Sequence, residues 1–138
     1  MKYSTSFIFA MALHIPALAS SNTFQECINV ANSDNKSYPS QTDEIVTLVN
    51  EVCFEEGNRV VLAYRYLLDI DSKGIPKAKQ NEVFQSVKKR IQETVISRGC
   101  SNKMFRSMLN HIDTRYEYFT TGKLEKFTTF MVTKKDCN

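Results

Sequence analysis

The chain has 138 residues, a formal net charge of +3 and 24% charged residues. Its length is that of a single domain. The small basic excess is weaker than that of most nucleic-acid-binding proteins, so we expect no nucleic-acid partner.

The N-terminal 19 residues have the features of a secretory signal peptide. Lys2 precedes an apolar stretch (7–18), and Ala17-Leu18-Ala19 matches the small-x-small pattern of a cleavage site. The apolar stretch is shorter than the roughly 20 residues of a spanning helix, and Ser20 occupies the position where a lipoprotein has cysteine. We predict cleavage after Ala19, a periplasmic or secreted product and no membrane anchor.

All four cysteines lie beyond this cut, at Cys27, Cys53, Cys100 and Cys137. An even number of cysteines in an exported chain favours two disulfides. Zinc sites usually have closely paired ligands, whereas these cysteines are dozens of residues apart. We predict two disulfides and no metal, and the count alone leaves three pairings open.

The first half of the chain predicts a leader, a helix and a strand. Residues 20–41 are rich in Ser and Asn, which is typical of an extended leader. We expect residues 42–138 to form one α+β domain. A helix is expected over 43–56, from the apolar spacing of Ile45, Leu48, Val49 and Val52, with Gly57 as its left-handed C-terminal residue. A strand over 58–70, apolar on both faces, is expected inside a sheet.

The second half predicts two helices and a hairpin. After a turn at 71–74, helices are expected over 79–97, ended by Gly99, and over 103–112, capped by Ser101 or Asn102. Strands 114–120 and 123–133 follow, joined by a turn at 121–122, and the second of them is expected to contain a bulge or to be covered on both sides. The order α-β-α-α-β-β predicts an α+β fold with about three antiparallel strands and helices on one face.

No catalytic or cofactor motif is present. His111 is the one histidine beyond the signal peptide, and no nucleophile motif accompanies it. We therefore predict no catalytic, cofactor-binding or metal-binding residues.

Two features are candidates for partner binding. Tyr64-Arg65-Tyr66 and Tyr116-Glu117-Tyr118 are matched strand segments in which Arg65 and Glu117 share a face and pair if the strands are neighbours. Their tyrosines are interpreted as core residues in preference to an aromatic binding surface. The run Lys88, Lys89 and Arg90 belongs to a basic cluster, which is either a solvated helix face or a contact for an acidic partner or an anionic envelope polymer.

The chain also resembles the quorum-sensing-regulated virulence factor family, which consists of small exported Gram-negative proteins. The similarity covers residues 39–137 and is carried by Pro39, Asp43, Thr47, Leu48, Gly57, Val61, Tyr64, Tyr66, Cys100, Arg106, Leu109, Tyr116, Tyr118, Gly122, Phe127, Asp136 and Cys137. It implies an exported α+β protein with a role in virulence or competition, and it brings no catalytic residues. Only Cys100 and Cys137 belong to its pattern, which implies the pairs Cys100–Cys137 and Cys27–Cys53. Because the Cys100–Cys137 loop ties the hairpin, we expect its loss to destabilise the domain by roughly 2–4 kcal/mol and loss of the leader bridge to matter less.

These observations predict a non-enzymatic protein that binds a protein partner in the periplasm or outside the cell. One alternative is a periplasmic immunity protein that inhibits a secreted toxin. A second is a binder of envelope ligands, and an uncharacterised hydrolase is less favoured. Similar two-layer domains also serve as secretion-system pilotins, but the missing lipoprotein cysteine argues against that role.

Overall fold

The computed structural model describes residues 18–70 and 74–138. The signal-peptide stretch before Leu18 and most of the predicted turn at 71–74 lie outside the described residues. The helices are α1 (Leu18–Asp34), α2 (Lys77–Ser101) and α3 (Lys103–Met108), with short 3-10 turns at Asn35–Ser37 and Lys134–Cys137. The strands are β1 (Ser40–Asp43), β2 (Val46–Glu56), β3 (Arg59–Leu68), β4 (Ile112–Thr120) and β5 (Lys126–Val132). No helix in these ranges is long and apolar enough to cross a bilayer.

The strands form one mixed sheet in the order β1-β2-β3-β4-β5. Only the β3–β4 pair is parallel, because α2 and α3 carry the chain back to the end of the sheet where β3 began. The α+β class is right, but the prediction of about three antiparallel strands is wrong, since two of the five strands were not predicted.

Residues 43–56, predicted as a helix, instead form the β1–β2 turn and strand β2. A bulge at Val49 separates Leu48, opposite Tyr66, from Asn50, opposite Arg65. A bulge reverses the side-chain alternation, and the next core-facing position is occupied by the acidic Glu51. The apolar residues therefore acquired a helix-like spacing in an 11-residue strand.

The second error is the extended leader, most of which is α1. Phe24, Cys27, Ile28 and Ala31 are spaced i, i+3, i+4, i+7 and are all buried. This stripe packs on Val60, Leu62 and Ile112 and forms one of the two core clusters. The N-terminal helix is therefore an integral layer of the fold.

Gly57 has a positive φ of +62°, as predicted, but it lies between two strands and not at the end of a helix. It lies in a two-residue turn between Glu56 and Arg59, which face each other across β2 and β3. A positive φ at the first turn position and not at the second is the pattern of a type II′ turn, for which glycine is favoured.

The second half follows the sequence pattern closely. Helices α2 and α3, the cap at Asn102 and the β4–β5 hairpin are present, but α3 ends at Met108, before the predicted 112, and Ile112 begins β4. The Asn102 side chain accepts a hydrogen bond from the backbone N–H of Phe105 at 3.1 Å. The predicted irregularity in the last strand is a bulge at Phe127, between the pairs Tyr118–Thr128 and Phe119–Lys126.

Gly99 does not end α2 as predicted, because the helix continues to Ser101. Its role is to make room, since a Cβ atom at this position would lie 2.7 Å from the Phe105 ring. We expect Gly99→Ala to lower the free energy of unfolding by about 1 kcal/mol, because the overpacking exceeds the gain in helix propensity.

Urea unfolding checks this prediction. Gly122→Ala is the matched control because nothing lies within 4 Å of its Cβ position, and we expect it to change stability by less than about 0.5 kcal/mol. Adding Phe105→Leu to Gly99→Ala should recover part of the loss. A stabilised Gly99→Ala variant would contradict this account.

The described helices pack on one face of the sheet. This face contains alternate residues of β3 and their neighbours on β2, β4 and β5, which form the two core clusters; the β3 residues are Val60, Leu62, Tyr64 and Tyr66. The opposite face contains Arg59, Arg65, Arg115 and their acidic partners. Two clefts open on the helix-bearing side, one between α2 and the sheet and one between α1 and α3.

Candidate functional site

The larger cleft, hereafter the groove, has a volume of about 650 Å³ and lies between α2 and the start of β2. Its floor is formed by the sheet and its far end by Phe105 of α3. One wall is the β1–β2 turn at 42–46, and the other is the inner side of α2. The lining includes Val46, Tyr66, Leu68, Val87, Ile91, Val95, Tyr116 and Tyr118.

The floor of the groove is a stack of aromatic rings. Tyr66 and Tyr118 stack at 4.6 Å between ring centroids, and Tyr64 and Tyr116 stack at 5.0 Å. Burial raises the pKa of all four tyrosines, so the hydroxyls stay neutral. The tyrosines are core residues, as preferred from the sequence, and three of them also line the groove.

The apolar stripe of α2 is only partly covered by the sheet. The helical spacing of Phe84, Val87, Ile91 and Val95 makes them one apolar stripe, and none of the side chains of this 25-residue helix is fully buried. Phe84 contacts Phe127 edge-on at 5.7 Å, while Val87, Ile91 and Val95 line the groove. Apolar side chains that face a cleft lose part of the stabilisation that burial would give. The groove is therefore an incompletely filled interior.

The two walls carry opposite charges. Arg90 and Arg98, two turns apart on α2, line one side, and Asp43 and Glu44 of the β1–β2 turn line the other. All four are exposed. The sequence predicted Arg90 as a binding residue and placed Arg98 in the same basic cluster, but it missed Asp43 and Glu44. It missed the acidic wall because residues 43–56 were assigned to a helix.

The predicted basic run does not act as one patch, because successive helix residues point in different directions. The Lys88 ammonium lies 5.2 Å from the centroid of the Phe127 ring. Lys89 is 3.9 Å from Glu93 on the exposed side of α2. Only Arg90 of this run lines the groove.

Arg65 and Glu117 form the cross-strand pair that the sequence predicted. Arg65 Nε lies 2.9 Å from Glu117 Oε1 on the sheet face opposite the described helices. Arg59–Asp113 and Arg115–Glu56 flank it, and the Arg115 guanidinium also lies 5.0 Å from the centroid of the Phe54 ring. These pairs cover apolar residues of the sheet, and a role of Arg65 and Glu117 in binding stays a prediction.

Glu51 is a buried acid on the core side of β2, with 1% of its surface exposed. Its Oε2 atom has no hydrogen-bond partner among the described residues. Desolvation by burial raises the pKa of Glu51 to about 8, and Asp34 adds to this shift while a hydrogen bond from Tyr38 opposes it. The side chain is therefore protonated over most of the physiological range, and it lines neither cleft.

The structure places His111 just after α3, exposed and on the smaller cleft. Within the described ranges, no three His, Cys, Asp or Glu side chains are grouped to hold a metal.

Two disulfides link elements that are close in the chain. Cys27 of α1 bonds Cys53 of β2, and Cys100 of α2 bonds Cys137 in the last 3-10 turn. This is the pairing that the family resemblance implies.

The fold and groove define a class: a two-layer α+β protein with a five-stranded mixed sheet, disulfide-linked, with an open apolar groove under its longest helix. No protein-family model matches the chain, and no curated protein matches it. The resemblance to the quorum-sensing-regulated family therefore stays a prediction.

Solved structures share the fold. A proposed secreted protein from Pseudomonas aeruginosa is 16% identical, with a TM-score of 0.68, covering 88% of this chain and 97% of the other. The type II secretion system pilotin EpsS from Vibrio vulnificus is 14% identical, with a TM-score of 0.64 and coverages of 85% and 93%. The type II secretion system pilotin AspS from Vibrio cholerae is 18% identical, with a TM-score of 0.61 and coverages of 88% and 99%. At these identities the likeness shows the fold alone.

Proposed function

We propose that this chain is an exported, non-enzymatic protein that binds a protein partner through the groove between α2 and the sheet. The observation that carries the proposal is the incompletely covered apolar stripe of α2, which faces an aromatic floor across a cleft of about 650 Å³. Burying that stripe against a partner segment would supply the hydrophobic contact that the sheet does not.

Three further observations support this function. Because one wall of the groove is basic and the other acidic, a bound segment with an acidic edge and a basic edge is favoured in one orientation. Two disulfides are typical of proteins in an oxidising compartment such as the periplasm or the extracellular space. Pilotins of type II secretion are among the proteins of the same fold.

A photo-crosslinking residue placed in the groove tests this function. Thr94 lines the groove, whereas Lys89 lies on the exposed side of the same helix. With benzoylphenylalanine at position 94, we expect one partner to be crosslinked in cells of the source bacterium. The same residue at position 89 should give no such product.

Charge reversal of the basic wall gives an independent prediction. We expect the double variant Arg90→Glu/Arg98→Glu to bind the partner roughly tenfold or more weakly, mainly because association becomes slower. Lys89→Glu serves as the control because its charge lies away from the groove, and it should leave binding unchanged. Equal effects of the two changes in a binding titration would place the contact outside the groove.

A further inference from the structure

The smaller cleft lies between α1 and α3 and has a volume of about 330 Å³. Met104, Met108 and His111 line one side of it, and Glu26 and Val30 of α1 line the other. The sequence has five methionines, and two of the three beyond residue 19 are in this cleft.

The local backbone brings the two thioethers and the imidazole to the same side. Met104 and Met108 are four residues apart on α3, so their side chains are neighbours on the helix surface. The His111 backbone N–H donates to the Met108 carbonyl at 3.0 Å, which extends the turn and places the ring three residues further along that side.

Packing does not account for this arrangement. Met104 is 83% exposed, the largest exposure among the exposed large apolar side chains of the described residues. Met108 is partly buried against the α1 core cluster, which fixes one side of the group. His111 is exposed, and its ring makes no hydrogen bond or ion pair with the described residues.

We propose that Met104, Met108 and His111 form a binding site for a soft monovalent cation, Cu(I). Thioether and imidazole ligands together select Cu(I) over hard cations such as magnesium and calcium. Thiolates do not compete for the ion, because all four cysteines are in disulfides. The Glu26 carboxylate on the facing helix favours a cation in the cleft.

Silver(I), which has the same charge and the same ligand preference without redox chemistry, is a suitable probe. We expect the oxidised full chain to bind one Ag(I), with shifts of the Met104 and Met108 methyl signals and of the His111 ring signals in NMR spectra. Competition with a chromophoric Cu(I) chelator should then give a Cu(I) affinity for the same site.

Three variants decide whether these residues are the ligands. Met104→Leu and His111→Gln keep size and change exposed positions, so the fold should be retained. Each should weaken Ag(I) binding by about a hundredfold or more, since even outer-shell changes cost roughly ten- to a hundredfold. Met131→Leu, on strand β5, should bind Ag(I) as the unaltered chain does. Absence of binding, or affinity unchanged by Met104→Leu and His111→Gln, would overturn the proposal.

Discussion

Replacing both Cys27 and Cys53 with alanine should destabilise the protein more than the same change at Cys100 and Cys137. The bridged residues are 26 and 37 positions apart, so loss of either crosslink should cost a similar amount, about 3–4 kcal/mol from the unfolded chain. Cys27 is fully buried among Phe24, Ile28 and Leu62. Its truncation adds a core cavity worth roughly another 1–2 kcal/mol.

This order is the reverse of the one predicted from the sequence, in which Cys27 fastens only an extended leader. Urea unfolding of the two double variants, followed by far-UV circular dichroism, measures the difference. Non-reducing peptide mapping of each variant should show the remaining native bridge, which controls for mispairing. If the Cys27/Cys53 variant were the more stable of the two, α1 would not be part of the cooperative core.

The free energy of unfolding should fall as the pH rises from about 4.5 to about 8 because of Glu51. Its pKa is near 4.5 when unfolded and about 8 when folded, so the folded state binds the extra proton across this window. The stabilisation is complete below the lower value and is lost by the upper one, with a slope of at most about 1.4 kcal/mol per pH unit. These limits allow a total change of at most about 5 kcal/mol across the window.

Glu51→Gln isolates this contribution. The neutral amide resembles the protonated acid, so the variant should match the unaltered chain near the lower end of the window and exceed its stability at the upper end. Glu82→Gln, at an exposed position of α2, is the matched control and should keep the original pH profile. A pH dependence that survived Glu51→Gln would assign the effect to other groups.

The second half of the fold was predictable because its burial matches its apolar spacing. In α2, the stripe of Phe84, Val87, Ile91 and Val95 faces the sheet and groove, as helical periodicity requires. In the hairpin, the high content of Tyr, Phe, Thr and Val predicts strands from composition alone, without knowledge of which strands they pair with. Local pattern and tertiary packing agree in this half.

The first half was not predictable in the same way, because tertiary contacts override the local signal. The Val49 bulge and the buried Glu51 give the apolar residues of β2 the spacing of a helix. Both features depend on residues elsewhere in the chain that pair with or cover β2. In α1, the apolar stripe that includes Phe24 and Ile28 is present in the sequence. It is recognised only if Cys27 is counted as apolar and if Ser and Asn are allowed on the exposed side of a helix. The groove could not be predicted at all, since its acidic wall depends on the β1–β2 turn.

The connectivity of the bridges joins the first cysteine to the second and the third to the fourth. A chain that enters an oxidising compartment N-terminus first presents its thiols in that same order. Pairing each new thiol with its unpaired predecessor then gives the native bonds directly, without the slow exchange that corrects wrong ones. For an exported chain with this connectivity, we therefore expect an oxidant alone, without a disulfide isomerase, to give the native bonds.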